Sequence, residues 1–278
     1  MTYHHEILER NRQSWNTISA NYQEHTQIST NDVHYGPLAP GEHELGLLGE
    51  VAGRRILEVG CGGGQNSIAL AKQGVACIGI DPSTAQLAHA QKLAQEHGVE
   101  VQFLGGMAED LSAFPDGSFD LVLSSYAFGY VTDLRRAYRE VCRVLKPGGL
   151  FVFCLNHPWF QAVGWYLAGE PDVPEIKDYD AWPDLEEWDW SYEDGTSVRM
   201  RGTLWTLQQV VNELIEAGFV LERLVEQHNE DVAHAAPEDL ARFPYVHEFD
   251  LSSKLYQVER KLPHTLILRA RKPETQAG

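Results

Sequence analysis

The chain has 278 residues, of which 43% are hydrophobic and 22% charged, so a folded chain of one or two domains is expected rather than a disordered one. At this length a core forms without help from disulfides or metal. The balance of 22 basic against 40 acidic residues, a formal net charge of −18, repels phosphate backbones and argues against nucleic acid; a neutral or cationic small molecule is the expected partner.

Apolar residues Ile7, Leu8, Trp15, Ile18 and Tyr22 recur at helical spacing and predict a helix over 5–22. Gly36-Pro37 and Pro40-Gly41 then break the chain. A regular alternation follows. Arg55–Val59 reads as a strand, Gly60–Gly64 as a glycine-rich turn, and Gln65–Gln73 as a helix stopped by Gly74. Ala76–Ile80 is a second strand, ending at Asp81-Pro82. Ser83 is placed to cap a helix that runs to His97 and stops at Gly98. Val101–Leu104 and Phe119–Leu123 are further strands. A helix from about residue 133 ends at Lys146-Pro147-Gly148-Gly149, and Leu150–Leu155 is a fifth strand. Strands alternating with helices imply right-handed crossovers and a parallel sheet covered on both faces.

After residue 156 the alternation lapses, and no regular element is predicted over 157–203. The stretch from Pro171 to Asp194 holds ten acidic residues together with Tyr179, Trp182, Trp188, Trp190 and Tyr192. Such a long irregular insertion reads as a lid with some helix of its own. A helix near Thr206–Ala217 and strands at Phe219–Glu226 and Thr265–Ala270 complete the pattern, with 228–263 irregular or helical. The expected organisation is an N-terminal helical cover (1–50), a cofactor-binding core (51–156), an acidic aromatic lid (157–203) and the rest of the same sheet domain (204–278). No apolar run approaches the roughly 20 residues of a membrane helix. The start, Met1-Thr2-Tyr3-His4-His5-Glu6, lacks a signal-peptide pattern, and Cys61, Cys77, Cys142 and Cys154 form no CxxC pair. A cytoplasmic chain with no membrane partner is expected, as a monomer or a homodimer.

The chemistry concentrates in Ile56-Leu57-Glu58-Val59-Gly60-Cys61-Gly62-Gly63-Gly64. A strand feeds a glycine turn, which lets a ligand approach the backbone and face the helix N–H groups. Asp81, at the end of the next strand, can accept both hydroxyl hydrogens of a ribose, so a nucleoside is the expected ligand. A dinucleotide fingerprint wants GxGxxG, but Gln65 stands at its third glycine, and there is no GK[ST] of a P-loop. Three readings stay open on these residues: an enzyme, a non-catalytic nucleoside-binding or scaffold protein, and a dinucleotide oxidoreductase, against which Gln65 speaks.

Several stretches are similar to one family: RILEVGCGGG (55–64), GIDPS (79–83), MAEDLSAFPDGSFDLVLSSYAFGYV (107–131), EVCRVLKPGGLFVF (140–153) and LWTLQQVVNELIEAGFVLERLVE (204–226). Together they resemble class I S-adenosylmethionine-dependent methyltransferases, in the small-molecule branch typified by ubiquinone/menaquinone-biosynthesis and type-11 domains. The resemblance implies a doubly wound, mostly parallel α/β sheet of seven strands in the order 3-2-1-4-5-7-6, the last antiparallel. It implies S-adenosyl-L-methionine as cofactor, S-adenosyl-L-homocysteine as product, and methyl transfer to O, N or C of a small metabolite. By position, Glu58 would face the methionine end, and Gly60, Cys61, Gly62 and Gly64 would line the cofactor through backbone. Asp81 would hold the ribose, with Pro82 beside the adenine. Met107, Ala108 and Glu109 occupy the loop over the adenine; many relatives carry an acid where Met107 stands. Ser124, Ser125 and Tyr126 would lie beneath the sulfonium, and Tyr22 would reach the methionine carboxylate.

Methyl transfer asks mainly for alignment and exclusion of water, so no triad or metal site need appear, and none is found. Candidate catalytic groups are His34, which Asp32 could orient, His157, directly after the fifth strand, and Tyr126. The fourth strand ends Ser124-Ser125-Tyr126-Ala127 rather than in the Asn/Asp-Pro-Pro-aromatic motif of enzymes acting on bases or glutamine amides. One or two of Tyr126, Tyr130, His157, Trp159 and Trp190 are expected to touch substrate. In the lid, Trp182, Trp188 and Trp190 could close over a cationic substrate; for most of these residues packing of the lid onto the core is favoured.

Overall fold

The computed structural model of the chain describes residues 3–37, 39–163, 178–228 and 261–274. The sheet is built from near-continuous apolar runs, as strands buried on both faces must be. β1 (Arg55–Val59), β2 (Ala76–Asp81), β3 (Gln102–Gly105), β4 (Phe119–Ser125) and β5 (Leu145–Asn156) pair in parallel. Two more strands, β8 (Val220–His228) and β9 (Pro263–Arg271), extend the sheet, with β9 antiparallel to both β5 and β8. The order is β3-β2-β1-β4-β5-β9-β8, which is the seven-stranded order implied by the sequence resemblance, with a separate hairpin counted in between. The expected fold class, a doubly wound α/β sheet of the class I methyltransferase type, is the one observed.

The side-chain period of two divides the core. Ile56, Leu121, Leu123, Leu150, Val152 and Ile267 pack on one face against α3 (Gln65–Ala71) and the chain around Val33–Leu48, which includes the short helix α2 (Glu42–Leu45). Leu57, Val59, Val122, Phe151, Phe153 and Leu268 pack on the other against α5 (Leu134–Val144) and α7 (Leu207–Glu216). In α5 the residues Leu134, Ala137, Tyr138, Val141 and Val144 form the buried stripe, and Asp133 caps the helix by accepting from Arg136 N–H at 2.9 Å. Thr206 and Gln209 close a capping box on α7. Ser83 caps α4 (Thr84–Glu96) as the sequence predicts. The fifth strand begins five residues earlier than predicted: α5 stops at Val144 and Lys146-Pro147-Gly148-Gly149 lies within β5, where the pairing with β4 shifts register.

The insertion differs most from expectation. Its described part holds α6 (Pro158–Val163) and a two-stranded hairpin, β6 (Asp184–Ser191) with β7 (Ser197–Leu204). The alternation is hidden in the sequence because its outward positions are charged on both strands: Glu187 lies opposite Arg201 and Asp189 opposite Arg199. Trp188 and Trp190 lie opposite Met200 and Val198 on the other face. The acids are thus partly paired, Glu187 bonding both Arg199 and Arg201, rather than a bare solvated run. Asp194-Gly195, in the hairpin turn, is the one local mark of this hairpin in the sequence. The remainder of the lid, and most of the 228–263 segment, lie outside the described residues.

α1 (Tyr3–Thr26), longer than predicted, holds this hairpin as a third strand would. The Asn11 amide donates to Arg201 C=O at 2.7 Å and accepts from Arg201 N–H at 3.0 Å, while Ser14 donates to Arg199 C=O at 3.1 Å. Residues three apart on one helix face therefore satisfy a strand edge. Replacing Asn11 with Ala leaves two part-buried backbone groups of β7 without these partners. The expected cost is about 1–3 kcal/mol in urea unfolding, with faster amide exchange at Arg201; an unchanged exchange rate would show that the hairpin is held elsewhere.

Candidate active site

The carboxyl ends of β1 and β2 are tied together by the glycine turn. The N–H groups of Gly60 and Cys61 both donate to Ile80 C=O, at 2.8 and 2.9 Å. The Gly62 N–H donates to Asp81 Oδ2 at 3.0 Å, and the Gly64 N–H to Cys61 C=O at 2.8 Å. The N–H groups of Gly60, Cys61, Gly62 and Gly64 are therefore engaged inside the protein. The turn can offer a bare, closely approachable surface instead. Gly60 has φ +72°, and a Cβ there would run into that of Ala127, so β1 and the end of β4 meet backbone against side chain.

A cavity of about 520 Å³ opens over this junction, within the range of small-molecule sites. At one end Gly60, Gly62, Asp81, Pro82, Met107, Ala108 and Glu109 line it. Asp81 Oδ1 accepts from Ser83 N–H at 2.8 Å and Oδ2 from Gly62 N–H. Each carboxylate oxygen has a second acceptor site, so the pair is fixed in place with capacity left for two hydroxyl donors. Burial pushes the Asp81 carboxyl up to about 6, against these two N–H bonds, which favour the charged form. Burial also raises Glu109, whose Oε1 accepts from Thr132 N–H at 2.9 Å. A Cβ on Gly62 would meet nothing within 4 Å, so open space lies directly beside the Asp81 carboxylate. The two carboxylate acceptors, the open turn and the cavity volume fit the ribose and adenine of S-adenosylmethionine.

The roof is aromatic. Trp15 and Tyr22 of α1 and Trp190 of β6 line the cavity and pack edge to face, with centroids 5.0–5.6 Å apart. Tyr130 bridges Trp15 and Trp188, at 5.8 and 6.1 Å. Beyond the ends of β4 and β5 the wall passes through Ser125, Tyr126, Asn156, Phe160, Gln161 and His264.

Of the sequence candidates, Tyr22, Gly60, Gly62, Asp81, Pro82, Met107, Ala108, Glu109, Ser125 and Tyr126 line this one cavity. Six others do not. Glu58 turns away from it, 2% exposed, and accepts from the Ser67 hydroxyl at 2.5 Å; burial pushes its carboxyl up to about 7. Cys61 buries its thiol over Gly79, and the place of Gly64 is set by packing, since a Cβ there would strike Phe103 and Ala90. Ser124 donates to Val59 C=O at 2.8 Å, stitching β4 to β1 behind the cavity. The backbone N–H and C=O of His34 are bonded to the Asn66 amide, and burial pushes its imidazole down to about 4. Asp32, its expected orienting group, accepts from His43 Nδ1 at 2.6 Å instead. His157 is fully buried, with Nδ1 accepting from Trp159 N–H at 3.1 Å and Nε2 bonded to Glu226 at 2.9 Å, so both nitrogens are committed outside the cavity. In the lid, Trp182 packs on Ala162 and Leu204, while half-exposed Trp159 stacks on Tyr179.

Sequence reasoning missed Trp15, although it sits one heptad before Tyr22 on the same predicted helix. It also missed Asn156, Gln161 and His264, which no local motif marks. Gln65, which breaks the dinucleotide pattern, acts structurally. Its amide donates to Gln23 at 2.5 Å, and Gln23 donates on to Gln86 at 2.7 Å, fixing α1 over the glycine turn.

Comparison with known proteins agrees with this geometry. A family model described as a methyltransferase domain matches residues 57–153. The match is confined to the strand–helix core from β1 to β5, and the fold around it is that of class I methyltransferases. An uncharacterized methyltransferase of Bacillus subtilis is 42% identical over 119 residues, 41% of this chain and 46% of that protein. A ubiquinone biosynthesis O-methyltransferase of Azorhizobium caulinodans is 34% identical over 110 residues, 40% of this chain and 43% of that one. The chain spans about half the length of the curated relatives it matches. The crystal structure of an S-adenosylmethionine-dependent methyltransferase from Mesorhizobium loti superposes with a TM-score of 0.60 at 27% identity, covering 82% of this chain and 94% of that one. No helix among the described residues is long and apolar enough to cross a membrane, and no group of three potential metal ligands occurs among them.

The buried Glu58 gives a pH dependence with a definite sign. Its carboxyl binds a proton in the folded state up to about pH 7 and in the unfolded state only up to about 4.5. The folded state therefore holds more protons across that window, and stability falls as pH rises through it. In urea unfolding without cofactor, Glu58→Gln should gain on the natural chain by on the order of 3 kcal/mol between pH 4.5 and 7.5. A difference that stays constant over that range would mean that Glu58 is not charged at a cost in the fold.

Proposed function

We propose that the chain transfers the methyl group of S-adenosylmethionine to O, N or C of a small, largely apolar molecule that carries no anionic group at the acceptor site. The observation that carries this is the division of the cavity: a fixed carboxylate beside an open glycine turn at one end, and an aromatic wall at the other with no Lys or Arg among the described residues that line it. The first end is built to receive a nucleoside. Among the described residues the second offers no cation to offset a phosphate or carboxylate, and Glu186 on the cavity wall would repel one. The names of the curated relatives, among them O-methyltransferases of ubiquinone biosynthesis, support a small-molecule acceptor.

When bound, the cofactor supplies a methyl group already activated as an electrophile on a sulfonium. The protein's part is to hold, align and exclude water. Asp81 would hold the ribose hydroxyls, with Pro82, Met107 and Ala108 against the adenine and Tyr22 at the methionine end. The roof from α1 and the hairpin would keep water from the reacting atoms, and Ser125 and Tyr126 would lie beneath them.

Calorimetry with S-adenosylhomocysteine should show binding, and Asp81→Ala should weaken it by about 1.5–3 kcal/mol, the worth of hydrogen bonds to a charged group. No binding to the natural chain would remove the reading. Binding without methyl transfer to any hydroxyl, amine or carbon acceptor would point to a nucleoside-binding protein on this fold.

A further inference from the structure

Two side chains in the cavity wall serve no neighbour. Asn156 ends β5 and Gln161 lies in α6; both are partly buried and both line the cavity. No hydrogen bond among the described residues engages either side-chain amide. Under the roof, by contrast, the amides of Asn11, Asn16, Gln23 and Gln65 are all bonded to neighbours.

The segment that carries the two amides is pinned. His157, fully buried between them in the chain, donates its backbone N–H to His264 C=O at 2.8 Å and accepts from Trp159 N–H on Nδ1 at 3.1 Å. Its Nε2 bonds Glu226 at 2.9 Å, and its carbonyl oxygen accepts from Gln161 N–H at 3.0 Å. The Phe160 ring lies against that of His264, with centroids 4.1 Å apart. The backbone around both amides is therefore fixed before a ligand arrives, which lowers the entropy lost on binding.

The position of the amides is set by the sheet. Asp81 ends β2 and Asn156 ends β5, three strands away. At about 4.8 Å per strand, roughly 14 Å of sheet separates them. The ribose anchor and the amides belong to different subsites of one cavity, and the acceptor takes the second. A side-chain amide offers two N–H donors and one carbonyl acceptor. An apolar acceptor that displaced water from these groups would leave them without partners, at a cost in affinity. An anion finds no Lys or Arg among the described residues of the wall. A cation would come to rest beside the sulfonium charge that the cofactor brings, which repels it. A ketone accepts but does not donate, and leaves the amide oxygens unused. A carboxamide presents N–H and C=O side by side and satisfies both ends of a facing amide without any charge.

We infer that the acceptor is a neutral aromatic compound bearing a carboxamide or lactam, and that Asn156 and Gln161 select it by hydrogen bonds to that group. This rests on the methyl-transfer reading above and names the class of its acceptor. The rings of the roof cover the flat apolar body, and the two amides read its polar edge.

The test is calorimetry at pH 7.5 on protein loaded with S-adenosylhomocysteine, using para-substituted phenols of similar size. 4-Hydroxybenzamide carries the neutral amide, 4-hydroxybenzoate an anion, tyramine a cation and 4-ethylphenol an apolar group. The natural chain should bind 4-hydroxybenzamide at least about tenfold more tightly than the other three. Asn156→Leu and Gln161→Met should each weaken that binding by about fivefold, the worth of one neutral hydrogen bond, and leave 4-ethylphenol within about twofold. Affinity for S-adenosylhomocysteine should stay within about twofold in both variants. In proton–nitrogen correlation spectra the side-chain NH2 signals of Asn156 and Gln161, identified by their loss in the variants, should move on addition of 4-hydroxybenzamide and not of 4-ethylphenol. Tightest binding of the anion, the cation or the apolar phenol overturns the assignment. So do equal losses on 4-hydroxybenzamide and 4-ethylphenol, no loss in either variant, or no binding of any of these compounds. Failure of the natural chain to bind S-adenosylhomocysteine instead removes the methyl-transfer reading itself.

Discussion

The Ile80 carbonyl oxygen receives two N–H groups, those of Gly60 and Cys61, and the next residue's carboxylate receives that of Gly62. This tie between the ends of β1 and β2 settles the rest of the site. It turns the chain sharply enough to leave a bare surface, and it places Asp81 at the edge of that surface with both oxygens already oriented. It also spends the N–H groups of Gly60, Cys61 and Gly62. What the protein presents to a ligand here is shape and a carboxylate, not a ring of backbone N–H groups. The cost of holding that carboxylate in a partly desolvated place appears in its raised proton affinity.

The cover over this junction is assembled by long-range contacts. α1 reaches the glycine turn through Gln23, the start of α4 through Asn16, which accepts from Ser83 Oγ at 2.8 Å and Ala85 N–H at 3.0 Å, and the hairpin through Asn11 and Ser14. One helix therefore joins the floor of the nucleoside end to the roof. The interlocked rings of Trp15, Tyr22 and Trp190 follow from that arrangement, because the hydrogen bonds on either side set the distance between helix and hairpin.

The far end of the cavity follows another logic. β9 runs antiparallel between β5 and β8, so its first residues rather than its last lie at the level of the other strands' carboxyl ends. That reversal brings His264 and Thr265 beside Tyr126, 138 and 139 residues away along the chain. An all-parallel sheet would have put the opposite end of the strand there. The antiparallel strand is thus what brings His264 to this end of the cavity.

The sequence by itself determined the end of the cavity around the glycine turn and Asp81. A five-residue strand, a contiguous glycine turn and an acid at the end of the next strand are local features, and period-two and helical patterns extend over single elements. From them the strand–helix alternation, the glycine turn and Asp81 could be read directly, while the strand order, Pro82 and the Met107–Glu109 loop came through the family resemblance. The hairpin escaped because charged side chains on its outer face masked its alternation, and its Asp-Gly turn was lost among acids. Only the tertiary structure decided which way each side chain faces. It turned Glu58 and Ser124 inward, committed both nitrogens of His157 to neighbours, and brought His264 to the cavity. Those outcomes depend on packing between residues far apart in the chain, and no spacing along the sequence encodes a contact that forms only once the strands have been laid side by side.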